Sequence, residues 1–168
     1  MEKRDELRTN ADGTVYDPNT GLLWQSDTQW SDMRWDDATK LEGMVYVNSA
    51  IIAMAGLTSN SCAWRLPTYD ELKSLSYTLW EYEYPAGKYN DGRDDNFFQS
   101  FRDNKRKFFP HLKPTVYWSR TTDSSRADAA MGISFADMDI AVTVHSLKYM
   151  QQGVLFVLGR KDVVGAWL

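Results

Sequence analysis

The sequence predicts an α+β fold, because its helical and strand-like patterns occur in separate blocks of the chain. Residues 36–55 and 68–75 carry apolar side chains at the spacing of amphipathic helices. Residues 115–159 instead contain short runs of β-branched and aromatic residues, separated by turn-forming residues, as antiparallel strands do. With 168 residues, the chain has the length of a single compact domain with its own core.

The first predicted element is a β-hairpin over residues 13–25. Thr14–Tyr16 and Leu22–Trp24 are the predicted strands, and the intervening Asp-Pro-Asn-Thr-Gly supplies the residues that a tight reversal needs. The polar residues 1–11 before the hairpin are predicted to be a loose lead-in. At the other end of the chain, residues 161–168 are predicted to be a tail.

Two helices are predicted after the hairpin. The first spans about residues 36–55, with an apolar stripe and two carboxylates in its first turn, where they suit the helix dipole. The second begins at Thr68, which forms a Thr-x-x-Glu capping box with Glu71. Pro67 favours an extended conformation of the residue before it, so the stretch "RLPTYDEL" is predicted to be a corner between a strand and a helix.

The long segment 80–114 is predicted to be an irregular loop that carries function, because a loop of this length in a compact domain is unusual. Cations pair with sulfates or carboxylates, and aromatic rings stack on sugars, so an anionic glycan is one candidate ligand of this segment. The competing interpretations are a solvated basic loop and aromatic side chains that pack on the sheet. The candidate ligand-binding residues are Arg102, Lys105, Arg106 and Lys107, with Lys113 nearby, and the aromatic residues Trp80, Tyr82, Tyr84 and Tyr89.

The same segment contains carboxylates that calcium could use as ligands. Asp91, Asp94 and Asp95 offer hard oxygen atoms, but their spacing fits no EF-hand loop, and a solvated turn is the alternative interpretation. We therefore predict no cofactor, with calcium as the alternative.

The last third of the chain is predicted to be an antiparallel meander. Its strands are placed at 115–121, 129–136, 140–146 and 153–159, with a turn at 137–139. The tryptophans Trp24, Trp64 and Trp118 are predicted to lie in the core.

Catalysis is not predicted from this sequence. It contains a single cysteine, Cys62, and two histidines, His111 and His145, without the spacing of metal ligands. It has no nucleophile elbow and no phosphate-binding loop. A pI near 5.2 argues against nucleic-acid binding, and no apolar run is long enough to cross a bilayer.

Several motifs together resemble a known family. The stretches "DGTVYDPNTGLLWQ" (12–25), "WDDA" (35–38), "WRLPTYDEL" (64–72) and "YWSRTT" (117–122) occur in the order and spacing of the bacterial Lcl C-terminal domain family, named for a Legionella collagen-like adhesin. The resemblance covers about residues 12–160. It implies a C-type-lectin-like fold, with two helices packed on a twisted antiparallel sheet. The "RLPT-x-x-E" corner is also similar to one in formylglycine-generating enzymes.

The chain departs from the family pattern at several positions. The family often carries a cysteine in its first helix and another in its last strand, and this chain has neither. Arg120 stands where the family motif has a second serine, and the last strand reads "VLFVLGR" (154–160). The family's disulfide and any ligand role of its last strand therefore do not carry over.

The resemblance implies an exported or surface-attached protein that acts in adhesion or glycan binding. We therefore predict a non-enzymatic domain that binds a glycan or a cell-surface protein. Two alternatives remain: a structural or oligomerisation module, and a hypervariable lectin-fold recognition protein. The first residues contain no apolar signal region, which fits either a cytoplasmic protein or an extracellular, periplasmic or surface protein whose signal peptide is absent from this chain. We predict the extracellular, periplasmic or surface location.

Overall fold

The structure is a computed structural model that describes residues 2–11, 13–26, 30–42, 64–83 and 95–159, with the backbone alone at 95–97. Helices and antiparallel strands are both present, which confirms the predicted α+β class. The helices are α1 (Trp35–Leu41), α2 (Tyr69–Leu79) and α3 (Asp95–Phe108). The strands are β1 (Glu2–Lys3), β2 (Arg8–Thr9), β3 (Val15–Asp17), β4 (Leu22–Trp24), β5 (Tyr82–Glu83), β6 (Val116–Thr122), β7 (Ala129–Ser134), β8 (Thr143–Leu147) and β9 (Val157–Leu158).

The described strands form separate antiparallel sheets. One has the order β2-β3-β4-β9, a second has the order β6-β7-β8, and a third pairs β1 with β5. The predicted hairpin is confirmed as β3 and β4, with Val15 opposite Trp24.

The residues before the hairpin are not the loose lead-in that their polarity predicts. Arg8 pairs with Tyr16 across β2 and β3, and Glu2 pairs with Glu83 across β1 and β5. Leu7 lies between these strands and is buried. Main-chain hydrogen bonds to the sheets and burial of the Leu7 side chain therefore order the residues before the hairpin, although their other side chains are solvated.

The meander is confirmed for β6, β7 and β8 but not for the last predicted strand. Val157 pairs with Trp24 of β4, so β9 closes the hairpin sheet, and only a short parallel bridge between Gly153 and Tyr117 links this segment to β6. A strand that is buried on both faces reads as a continuous apolar run, and such a run does not indicate which sheet it joins.

The first helix agrees with the prediction as far as it is described, through Leu41. Its predicted continuation to residue 55, and Cys62, lie outside the described residues. The segment predicted as an irregular loop contains α3, so that prediction is wrong for residues 95–108. None of the helices in the described part of the chain is long and apolar enough to cross a membrane.

Two clusters of buried side chains form the core. One lies between the hairpin, α2, α3 and the meander and contains Trp24, Trp80 and Phe101. The other contains Trp64 and Trp118. The prediction that Trp24, Trp64 and Trp118 are core residues is therefore confirmed. The specifically lectin-like form of this α+β fold remains a prediction.

Candidate functional site

The "RLPTYDEL" corner begins α2 through the predicted capping box. The Glu71 amide donates to the Thr68 hydroxyl at 3.2 Å, and the Thr68 amide donates to the Glu71 carboxylate at 2.8 Å. Arg65 adds a bidentate contact, with both terminal nitrogens of its guanidinium group 2.8 Å from the carboxylate oxygens of Glu71. The corner is therefore architecture that fixes the start of a helix, and the side chains of Arg65, Thr68 and Glu71 are bound to one another.

Arg120, the departure from the family motif, belongs to the same corner. Its main-chain amide donates to the Pro67 carbonyl at 2.8 Å, and its Nε lies 3.7 Å from the carboxylate of Glu42. That carboxylate also accepts a hydrogen bond from the Leu66 amide at 2.9 Å. The arginine therefore joins α1, the corner and β6.

The helix α3 carries the predicted basic residues. Phe98, Phe101, Lys105 and Phe108 follow one another at intervals of three or four, so they lie on one face of the helix and pack on the core. This periodicity was the signal for a helix in the sequence. This periodicity is difficult to recognise in the sequence, because the charged Lys105 occupies one position of the buried face.

Lys105 is only 7% exposed and is bound from within the domain. Its ammonium group donates to the Phe135 carbonyl and to the Asp137 carboxylate, both at 2.7 Å, and it lies 4.4 Å from the centre of the Phe101 ring. The hydrogen bond from Lys105 holds the pKa of Asp137 below its ordinary value, with smaller effects of charge from Lys105 and Arg102. The prediction that Lys105 is a ligand-binding residue is thus replaced by an architectural role.

The other basic side chains differ in how they are bound. Arg102 lies 3.4 Å from Asp137, whereas Lys107 pairs with Glu6 at 2.8 Å and Lys113 pairs with Asp32 at 2.9 Å. Arg106 is exposed. The structure therefore spreads the predicted basic cluster over several surfaces and leaves Arg102 and Arg106 on a shared one.

That shared surface is a cleft at the C-terminal end of α3, with a volume of about 210 Å³. Three cations and one carboxylate line it, in a chain whose net charge is −4. Apolar side chains from the connection between α3 and β6 form the rest of its wall. We call this surface the basic cleft, and its lining residues are Arg102, Lys105, Arg106, Asp137, Phe109, Pro110, Leu112 and Pro114.

The predicted aromatic face is not assembled as the sequence suggested. Trp80 is 2% exposed, stacks on Phe101 with ring centres 3.9 Å apart, and donates from its indole nitrogen to the Asp139 carbonyl at 3.1 Å. It is a core residue, which corrects its assignment as a ligand contact. Tyr82 is half-buried in β5 and packs against the same core. Tyr84 and Tyr89 lie outside the described residues.

The calcium candidates cannot be placed in a site. Asp91 and Asp94 lie outside the described residues, and Asp95 is described by its backbone alone. Among the residues that the structure does describe, no three or more His, Cys, Asp and Glu side chains gather as they would around a metal ion.

An apolar groove of about 430 Å³ lies between α2, α3 and the turn that leads into β8. Phe98, Ile140 and Val142 line it, and Met138 stands at its mouth with 71% of its surface exposed. Sequence reasoning missed this groove, because its residues come from distant parts of the chain.

Comparison with known proteins supports the resemblance seen in the sequence. The family described as "Lcl C-terminal domain" matches residues 13–157, which is most of the chain. No curated protein gives a significant match. The chain therefore belongs to the Lcl C-terminal domain family, an adhesin-type family of bacterial surface proteins.

Proposed function

We propose that this domain is a non-enzymatic binding module and that it recognises an anionic glycan at the basic cleft. The observation that carries the proposal is the charge of that cleft: Arg102 and the exposed Arg106 lie beside a single carboxylate, that of Asp137, which the buried Lys105 already binds, in an acidic chain. An excess of cations in a concave surface favours a negatively charged ligand.

The chemistry of the lining suits an acidic sugar. A guanidinium group presents a planar fork that matches a carboxylate or a sulfate with two parallel hydrogen bonds. Arg106 is the side chain positioned for this contact, since it is exposed at the cleft. Pro110, Leu112 and Pro114 offer apolar surface to the C–H face of a sugar ring.

Rigidity of the cleft supports the same proposal. Arg102 is held between Asp137 and the side-chain carbonyl of Gln99, which accepts its hydrogen bond at 2.9 Å. The ammonium group of Lys105 donates hydrogen bonds to the Phe135 carbonyl and the Asp137 carboxylate, which hold the turn after β7 against α3. A pre-organised cleft loses less conformational entropy when a ligand binds.

The chain's own residues support a non-enzymatic role. His145 contacts Asp123 at 2.9 Å, and the Ser125 hydroxyl donates to the other oxygen of that carboxylate at 2.8 Å. A serine nucleophile requires contact with the imidazole rather than with the carboxylate, so this cluster lacks the arrangement of a catalytic triad.

Binding to a panel of sulfated, uronate-bearing and neutral glycans tests the proposal. We expect binding to sulfated or uronate-bearing glycans, and we expect Arg106→Ala to weaken it about tenfold, the effect of losing one charge-assisted hydrogen bond. Arg126→Ala is the matched control, because Arg126 is also an exposed arginine and pairs with Asp128 elsewhere on the surface. An Arg106→Ala variant that binds these glycans as tightly as the unchanged domain does would refute the proposed site. Repeating the panel with EDTA tests the calcium alternative.

The structural alternative is favoured by a different observation, the exposed Met138 and Val142 beside the apolar groove. Light scattering separates the two functions. A monomer at high protein concentration would count against an oligomerisation module, and a stable dimer that binds no glycan would count in its favour.

A further inference from the structure

The basic cleft contains an anion of its own, the carboxylate of Asp137. One oxygen of that carboxylate lies 2.7 Å from the Lys105 ammonium group, and the other lies 3.4 Å from Nε of Arg102. The Asp137 side chain is nevertheless 47% exposed. Two of the three cations that line the cleft are therefore already in contact with a negative charge, and a ligand meets that charge at the cleft surface.

The backbone is held in place on both sides of Asp137. Before it, the Phe135 carbonyl accepts a hydrogen bond from Lys105 at 2.7 Å. After it, the Asp139 carbonyl accepts a hydrogen bond from the buried indole of Trp80 at 3.1 Å. The carboxylate can therefore leave its position by side-chain rotation alone, without movement of the turn that carries it.

Rotation of the carboxylate away from Lys105 is also unfavourable. Lys105 is only 7% exposed, and its ammonium group donates to the Phe135 carbonyl and the Asp137 carboxylate. Removing the anion from a buried cation leaves that charge uncompensated, which costs more than an exposed ion pair contributes. We therefore expect the Asp137 carboxylate to remain in the cleft when an anionic ligand binds.

The contacts that remain for a ligand are of two kinds, donors and one acceptor. Arg106 is exposed, and Arg102 binds Asp137 and Gln99 through its Nε and one terminal nitrogen, which do not exhaust the five N–H donors of a guanidinium group. Beside these donors lies the exposed part of the Asp137 carboxylate. The hydrogen bond from Lys105 holds the pKa of this carboxyl below its ordinary value, so at neutral pH the group accepts hydrogen bonds and does not donate them.

We propose that Asp137 is a specificity-determining residue of the basic cleft, which favours anions that carry a hydrogen-bond donor beside the charged group and disfavours anions without one. A donor on the ligand can bind the carboxylate while the charged group binds the arginines. An anion without such a donor meets only the repulsion of a like charge. The role of Asp137 rests on the proposed function of the basic cleft, whose ligand class it narrows.

Binding of two sulfated polymers to the full chain tests this role. Chondroitin sulfate carries hydroxyl and amide donors beside its sulfate groups, whereas poly(vinyl sulfate) carries sulfate groups without donors. Asp137→Asn removes the negative charge and keeps a side-chain oxygen that can accept from Lys105. We expect this variant to bind poly(vinyl sulfate) about fivefold more tightly than the unchanged protein, the effect of removing one exposed like-charge contact. Its affinity for chondroitin sulfate should be unchanged or lower.

Two further variants accompany the measurement. Asp128→Asn is the matched control, because it removes the same single charge from the chain at an exposed carboxylate that pairs with Arg126 and does not line the cleft. We expect it to change neither affinity. Asp137→Ser is a second neutral variant with a shorter side chain, and it should show the same selective gain for poly(vinyl sulfate). Urea unfolding of each variant verifies that the compared proteins are folded.

Each outcome supports the role of Asp137 or overturns it. A gain in affinity for poly(vinyl sulfate) alone, in either neutral variant, supports it. Equal gains for both polymers would show repulsion without selection, a loss for both would show that the carboxylate only positions the arginines, and unchanged affinities would show no role, so each of these overturns it.

The proposed function is judged separately by the unchanged protein and Arg106→Ala. Binding of chondroitin sulfate that Arg106→Ala weakens, together with no selective gain in the Asp137 variants, overturns the role of Asp137 and leaves the basic cleft as the binding site. An unchanged protein that binds neither polymer overturns the proposed function and the role of Asp137 with it.

Discussion

Glu71 joins the start of α2 to the segment before it through one carboxylate. It caps α2 and accepts the bidentate contact of Arg65, whose main chain forms an antiparallel bridge with Val157. Burial alone would raise its pKa, but hydrogen bonds from Arg65 and Thr68 outweigh that effect, and the pKa lies below its ordinary value of 4.5. The charged carboxylate is therefore the form that stabilises the folded state.

This pKa shift sets the expected pH dependence of stability. A carboxyl whose pKa is lowered by folding stabilises the protein above its unfolded value, and the contribution is lost as the pH falls through its folded value. We expect Glu71→Gln to lower the free energy of unfolding at neutral pH by about 1–2 kcal/mol, the effect of losing the charged partner of Arg65, because glutamine can still accept from the Thr68 amide and keep the cap. The variant should also lose less stability on acidification than the unchanged protein.

Urea unfolding at several pH values measures this prediction. Asp128→Asn provides a comparison, because Asp128 also pairs with an arginine but is exposed and screened by solvent. Equal acid dependence of the Glu71→Gln variant and the unchanged protein would contradict the assigned role of the carboxylate.

Part of this corner could be predicted from its residues, and part could not. The Thr68–Glu71 capping box is local, so its spacing alone reveals it. The contacts of Glu42 with Leu66 and Arg120 join residues far apart in the chain, and no local spacing encodes them. Arg120 therefore looked like a departure from the family motif, although it contacts Pro67 in the corner and Glu42 at the end of α1.

Among the elements, α3 differs most from its sequence-based prediction. Its dense charge suggested a solvated loop, whereas Lys105 occupies a buried position between Phe101 and Phe108 on the face that packs against the core. A lysine at such a position requires partners inside the protein, and Phe135 and Asp137 provide them. Sequence reasoning had no means of identifying these partners, because they follow β7 in a distant part of the chain.

Substitution of Lys105 distinguishes an architectural role from a ligand-binding one. Lys105→Ala leaves the buried Phe135 carbonyl without its donor, whereas the half-exposed Asp137 keeps Arg102 as a partner, and we expect the variant to lower the free energy of unfolding by about 1–3 kcal/mol. Lys107→Ala is the matched control on the same helix turn, because its pair with Glu6 is exposed, and we expect a change within about 0.5 kcal/mol. Chemical denaturation measures both. Similar stabilities of the two variants would refute the buried role of Lys105.

At the scale of the whole molecule, the sign of the charge differs between the basic cleft and the chain. The basic cleft carries excess positive charge, whereas the chain has a net charge of −4. Added salt screens attraction between exposed charges.

Salt dependence therefore provides a test of the proposed function. We expect binding of sulfated or uronate-bearing glycans to weaken as sodium chloride is raised. Titration of the same protein sample at low and high salt measures the affinity. An affinity for these glycans that does not change with salt would contradict their assignment to the basic cleft.

The fold class could be predicted because the helical and strand-like periodicities are local properties of the sequence. The order of the motifs likewise sufficed to identify the family over residues 13–157. The division into separate sheets could not be predicted, because Val157 and Leu158 fit either sheet by composition and pair with β4 only through a long-range contact. The basic cleft forms where α3 and its connection to β6 meet Asp137 from a distant part of the chain, so the sequence contained its residues without their arrangement.

The pairing of β9 with β4 also bears on folding during synthesis. Leu23 of β4 leaves the ribosome long before its partner Leu158 of β9 is made. Contacts between such distant residues are slow to form, because the intervening chain must be closed into a loop first. The hairpin therefore keeps its β4 edge uncovered until β9 has been synthesised, and an unpaired strand edge is a site at which an incomplete chain can aggregate.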